Sequence, residues 1–198
     1  VPLLLNLLNS KSTEMQLHAA CSLGNIARKQ SGRNLIVNYD GSVKQLVNHI
    51  KFLEKDTDVL LECVGILCNL SYKNTVGQDA IINETNAVKK LVELLDSASN
   101  DMQLVAIRTL ANIVENNNGQ HIIITTDGFL PKLVNLIQID DVDIQLEVLD
   151  ILQNLVINPI YCNNIIQTDG MVHHIKSLLT SSSDEMKRLL KIVLSYLI

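Results

Sequence analysis

The sequence predicts an all-α solenoid, a stack of helical units sharing one long core, and three observations predict it. An apolar helical pattern ends four times at an asparagine: CSLGNIA at Asn25, GILCNLS at Asn69, RTLANIV at Asn112 and DILQNLV at Asn154. The spacings are 44, 43 and 42 residues, and a fixed period in the forties marks stacked helical repeats. Hydrophobic residues make up 47% of the 198 residues but aromatics only 3%, with no Trp, so Leu, Ile and Val must fill the core. A turn recurs in each unit at Asp40-Gly41, Thr85-Asn86, Asp127-Gly128 and Asp169-Gly170, with Asn the one substitute for Gly, as expected where φ must be positive. These marks divide a single domain, 1–198, into a partial repeat 1–30 and repeats 31–74, 75–117, 118–158 and 159–198.

Each unit has three parts. A short amphipathic helix comes first, in SGRNLIVNY, TVGQDAIINE, NGQHIIITT or NPIYCNNIIQT; IIITT alone could pass for a strand, but its place in the repeat argues for helix. After the turn comes a second helix, SVKQLVNHIKFL, AVKKLVELL, FLPKLVNLI or MVHHIKSLL. Pro2 and Pro131 fall in its first turn, where a missing N–H is tolerated. A polar linker then supplies an N-cap for the third and longest helix: Thr13 with Gln16 completing a capping box, Thr57, Asn100, Asp140 or Asp141, and Ser183. The glycines read as turn residues, one per unit.

Two faces of the third helix separate by spacing. Positions eight before, two before and one after the asparagine are apolar: Leu17, Leu23, Ile26; Leu61, Leu67, Leu70; Leu104, Leu110, Ile113; Leu146, Leu152, Leu155. They form the expected buried stripe. The opposite stripe carries the asparagine with positions seven and four before it and three after it. It reads His18, Cys21, Asn25, Arg28; Glu62, Gly65, Asn69, Tyr72; Val105, Arg108, Asn112, Glu115; Glu147, Asp150, Asn154, Ile157. Constant packing with a varied displayed face suits a binding scaffold. The asparagines have two open readings, a structural one (bonds between stacked units) and a ligand-binding one, and the two are compatible.

Charge and chemistry exclude several classes. The net charge of −5 and pI near 5.5 leave no electrostatic footprint for nucleic acid. Cys21, Cys63, Cys68 and Cys162 form no CxxC pair and read as reduced, mostly buried thiols in a reducing, intracellular and cytoplasmic setting. His173 and His174 are adjacent, so they point about 100° apart on a helix and do not chelate as a pair. No Ser-His-Asp constellation, Gly-rich phosphate loop or HExxH pattern is present, so neither an enzyme, a metal site nor a cofactor is expected. No apolar run nears the ~20 residues of a membrane span. The chain opens and closes inside helical patterns, which reads as a piece of a longer protein whose flanks could carry lipidation or targeting signals.

On GSVKQLV from Gly41, GFLPKLV from Gly128 and the four asparagine-bearing third-helix ends, the chain resembles the armadillo repeat family over nearly its whole length. That resemblance implies a right-handed superhelix whose third helices line a concave groove, with the asparagine side chains binding the backbone of an extended peptide. The role would fall on Asn25, Asn69, Asn112 and Asn154. Arg28, Glu62, Tyr72, Arg108, Glu115, Glu147 and Asp150 would supply specificity around them. Importin-α-like members place Trp four residues before the asparagine; here Cys21, Gly65, Arg108 and Asp150 stand there, so no nuclear-localisation-signal receptor is expected. In the last unit Tyr196 takes the ladder position and Lys191 replaces a core residue. Beta-catenin-like grooves are strongly basic whereas this one is mixed, and the general character is that of small armadillo-only adaptors.

The expected function is therefore a non-catalytic scaffold for a protein or extended peptide, without nucleic acid or direct membrane insertion. Basic groups gather at Arg28, Lys29 and Arg33, and acids at Asp140, Asp141, Asp143, Glu147 and Asp150, so the ligand's acidic part is expected near Arg28 and its basic part near Asp150. Two alternatives differ in class: a regulator gripping a folded enzyme or small GTPase, and a structural spacer in a larger chain.

Overall fold

A computed structural model describes residues 1–52, 58–180 and 183–198. Among them the chain forms helices α1 (Pro2–Leu8), α2 (Thr13–Ala27), α3 (Gln30–Val37), α4 (Ser42–Phe52), α5 (Asp58–Ser71), α6 (Thr75–Ile82) and α7 (Ala87–Glu93), the last extended by a 3-10 turn, Leu94–Asp96. Then come α8 (Asn100–Val114), α9 (Asn117–Ile124), α10 (Phe129–Leu136), α11 (Val142–Val156), α12 (Pro159–Gln167), α13 (Met171–Leu178) and α14 (Asp184–Leu197). No strand forms among the described residues, and IIITT is helical through Ile124. The expected continuation of α4 to Leu53 and the expected cap Thr57 lie outside the described residues.

The turns form as the sequence requires. Gly41, Asn86, Gly128 and Gly170 all adopt left-handed backbone, with φ of 72°, 62°, 77° and 77°, where a residue with a side chain other than Asn or Asp is disfavoured. Two of the caps differ from expectation by one residue. Ser12, not Thr13, receives the Met15 N–H at 3.3 Å, and Ser99, not Asn100, receives that of Met102 at 3.3 Å. Asp141 rather than Asp140 caps α11, and Ser183 caps α14 as expected. Met102 and Met186, three residues after their serines, are buried, and burying them sets the phase of the first turn. Gln16 completes no capping box. Its amide instead donates to Ser10 O at 2.8 Å, as Gln103 does to Leu95 O and Gln145 to Ile139 O, so each glutamine ties a third helix to the segment before it.

Each third helix lies against its neighbours: α2 on α5, α5 on α8, α8 on α11, α11 on α14, while α5 is also flanked by α4 and α6. Enclosure from several sides makes the core wider than one stripe. Leu23, Leu67, Leu110 and Leu152 are fully buried, and so are the positions five and six before the asparagine, including Val64, Ile107, Val148 and Leu149. Leu17, Leu61, Leu104 and Leu146, the outermost of the expected stripe, are only half-buried against that core. Lys191 occupies the register of Val64 and Ile107 but is exposed, on a helix that packs on α11, α12 and α13.

The single role expected for the glycines is corrected by a second set. Gly32, Gly77 and Gly119 lie inside α3, α6 and α9, where an added Cβ would fall 1.8, 1.9 and 2.2 Å from the carbonyl oxygens of Ile26, Leu70 and Ile113. These glycines let the backbone of each short helix lie directly on the end of the preceding third helix. Gly32 and Gly119 follow their asparagines by seven residues, but Gly77 follows Asn69 by eight. The extra residue is absorbed at Lys73, which takes a left-handed φ of 47°.

Two alanine substitutions separate these roles. Gly77→Ala is expected to destabilise by about 2 kcal/mol or more, because a backbone carbonyl cannot yield as a side chain does. Gly65→Ala, on a face where a Cβ meets nothing within 4 Å, is expected to raise stability by up to about 1 kcal/mol through helix propensity. Urea unfolding followed by circular dichroism measures both.

Candidate functional site

The exposed stripe on α2, α5, α8 and α11 carries the candidate residues, and stacking brings them into one row. Asn25 is exposed near the end of α2, while Asn69, Asn112 and Asn154 are half-buried at the same register. Their bonding differs. Asn112 Nδ2 donates across the stack to Cys68 O and to Ser71 Oγ, both at 3.2 Å, and so pins α8 to α5. Asn154 Nδ2 donates to Asp150 O at 2.9 Å within its own helix. The side chains of Asn25 and Asn69 have no hydrogen bond among the described residues.

Several displayed side chains also link neighbouring units. Arg108 Nε on α8 donates to Glu147 Oε1 on α11 at 2.8 Å, and its Nη2 lies 3.8 Å from Asp143 Oδ2. The Glu147 bond raises the already high pKa of the guanidinium. Glu115 Oε2 accepts from Gln78 Nε2 at 3.1 Å, and Gln78 also caps Ser71 O at 3.2 Å. Glu62 on α5 sits beside α2, 3.4 Å from where a Cβ on Gly24 would be. Burial, and then the Glu62 charge, raise the Cys21 thiol. Arg28 is exposed at the end of α2, and Tyr72, just past α5, is 49% exposed.

Burial shifts several groups at and beneath this face. It pushes Cys63 up to about 12 and Cys68 up to about 11, so both stay protonated thiols at neutral pH. Burial also raises the Asp150 carboxyl, with the charges of Glu147 and then Glu115 adding to it. No group of His, Cys, Asp and Glu among the described residues could hold a metal ion. The rings of His173 and His174 meet edge to face, 5.2 Å apart. No described helix is long and apolar enough to cross a membrane.

The sequence reading did not single out Gln78, Ser71 or the bonding of Arg33, although a signal was present. Arg33, Gln78 and Gln120 each follow one of the close-approach glycines, so their register was written in a recurring pair.

Repeat length, left-handed turns and stacked third helices agree with what is known of other proteins. A family model, "Armadillo/beta-catenin-like repeat", matches residues 1–28 and 75–115. The solenoid has the fold of armadillo repeat proteins. An engineered protein of known structure is 29% identical over 98% of this chain and 77% of its own, with a TM-score of 0.86. A designed armadillo repeat protein, solved in complex with the peptide (KR)4, is 23% identical over 98% of this chain and 80% of its own, with a TM-score of 0.86. Computationally designed armadillo repeat proteins for modular peptide recognition include one 23% identical over 98% and 81% of the two chains, with a TM-score of 0.87. No curated protein sequence matches at a significant level.

Two measurements probe this face. Asn112→Ala removes a bond between units and is expected to cost about 1 kcal/mol, whereas Asn69→Ala should stay within about 0.5 kcal/mol of wild type; thermal melts of the two variants compare them. For Asp150 a raised native pKa means the folded chain holds the proton more tightly than the unfolded one. Stability therefore falls as pH rises from the ordinary Asp range through the raised value, and the penalty is complete above it. Asp150→Asn should accordingly melt higher than wild type at neutral pH, and the gain should vanish below about pH 4.

Proposed function

We propose that this armadillo solenoid is a non-catalytic scaffold, a single domain over 1–198, that binds an extended peptide or partner helix along the row formed by α2, α5, α8 and α11. The supporting observation is the repeated asparagine at one register, exposed at Asn25 and half-buried in the other units, with the amides of Asn25 and Asn69 uncommitted. A side-chain amide both donates and accepts, so it satisfies a peptide N–H and C=O without reading the side chain. The Nδ2 groups of Asn112 and Asn154 bond within the solenoid, so those two residues would offer mainly their Oδ1 acceptors. The peptide bound by one designed armadillo neighbour supports the same mode here.

Around the ladder, Arg28, Glu62, Tyr72, Arg108, Glu115, Glu147 and Asp150 would set specificity. The ligand's acidic part lies toward Arg28 and its basic part toward Asp150. Asp143 and Glu147 face Arg108 in the solenoid itself, which leaves Asp150 as the main partner for a ligand cation. The setting is intracellular and cytoplasmic, and the partner is a polypeptide rather than nucleic acid or membrane.

Because one hydrogen bond nets about 1 kcal/mol, affinity accumulates over several units. The Asn25→Ala, Asn69→Ala double variant leaves the bonds between units intact and isolates ligand contacts. Captured from native lysate, partners of the wild-type chain should bind this variant about tenfold or more weakly. Equal capture would move the interaction off the ladder and favour the grip on a folded domain.

A further inference from the structure

We infer that Arg33, Tyr72 and Lys73 form a subsite for an oxyanion, the carboxylate or phosphate of a ligand side chain, at the α2–α5 end of the row. The inference rests on the peptide reading above only for the ligand being a polypeptide.

Comparison of two equivalent junctions carries it. At the second junction, Gln78 follows Gly77, caps the α5 carbonyl Ser71 O, and donates to Glu115, the residue three past Asn112. At the first junction, Arg33 follows Gly32 and caps the end of α2 in the same way, through Nη1 to Ala27 O at 3.4 Å and Arg28 O at 3.2 Å. A neutral amide thus suffices for the capping, and the charge of Arg33 is surplus to it. The residue three past Asn69, where Glu115 stands in the next unit, is Tyr72. The first junction therefore has a stronger donor than the second and lacks the carboxylate that the second supplies from within.

Arg33 is correspondingly short of counter-charge. It is 9% exposed, its Nη2 donates to the neutral Gln30 at 2.6 Å, and its buried Nε has no hydrogen-bond partner. The ion pairs among the described residues involve other cations, and none includes Arg28, Lys29, Arg33 or Lys73. A buried cation without an acidic partner is costly unless something supplies one. Tyr72 stands half-exposed beside two cations, with the Arg33 guanidinium 6.0 Å and the Lys73 ammonium 5.3 Å from its ring centroid. Lys73 is the extra residue of this unit, and its left-handed backbone accompanies the placement of its amine at that ring. An oxyanion arriving from solvent beside Tyr72 would meet two positive groups that are in no ion pair among the described residues.

The test titrates the isotope-labelled chain with an acetylated, amidated hexaglutamate peptide and, separately, with inorganic phosphate, following backbone amides and the Arg33 side-chain N–H by NMR. The peptide is expected to shift residues 28–33 and 72–73. The affinity should fall about tenfold in Arg33→Gln, which copies the Gln78 capping, and in Tyr72→Glu, which installs the missing carboxylate. Shifts at the same residues from phosphate alone assign the subsite to any oxyanion, and shifts from the peptide alone assign it to carboxylates. Tyr72 lies on the surface, so Tyr72→Glu remains informative even if Arg33→Gln fails to fold. No shift at millimolar probe, shifts mapping elsewhere, or unchanged affinity in Tyr72→Glu would overturn the inference. The Asn25→Ala, Asn69→Ala variant separates the two claims. Hexaglutamate binding that persists there while lysate partners are still captured equally sinks the ladder and spares the subsite, and ladder-dependent capture with no hexaglutamate response does the reverse.

Discussion

Leu23, Leu67, Leu110 and Leu152 are fully buried because each third helix lies against third helices before or after it, and no unit could bury these side chains alone. This shared layer is the constraint from which the rest follows. The short helices must lie close to the third-helix ends to seal the layer, and only glycine at 32, 77 and 119 permits that approach. The left-handed turns at Gly41, Asn86, Gly128 and Gly170 then swing the second helices back over the core.

With three sides of each third helix committed to packing, variation is confined to the remaining face. Even there, some variety serves the stack itself. Arg108 with Glu147, Asn112 with Ser71, and Gln78 with Glu115 are all contacts between neighbouring units. Most of these polar contacts are partly exposed and modest individually. They set register along the solenoid where the apolar layer, being repetitive, would tolerate slippage. The α2–α5 junction departs from this pattern, with cations and an aromatic ring where α5–α8 and α8–α11 have complementary pairs.

The repeat period, the turns and the buried leucines were legible in the sequence because each recurs with an identity that physics demands. The caps were less so: Ser12-Thr13 and Ser99-Asn100 each offer two competent side chains, and at the second the choice goes with the burial of Met102. The close-approach glycines were present at near-regular spacing but resemble helix interruptions unless the carbonyl they meet is known. Contacts such as Arg108 to Glu147, 39 residues apart, depend on the register between stacked helices, which no single repeat encodes. Which asparagines stay uncommitted is likewise a property of the stack, since the four look alike in sequence.

The residue inserted at Lys73 has a consequence for how such a chain changes over time. The second unit carries one residue more than its neighbours between asparagine and glycine, yet Gly77 meets its carbonyl as closely as Gly32 does. A single left-handed residue absorbs the surplus without disturbing either helix. The joint between third helix and next short helix is therefore a place where length can drift while the geometry on either side is preserved. A lineage of such solenoids, or an engineer grafting new loops, gains freedom there to add chemistry at the rim of the ladder while leaving its spacing intact.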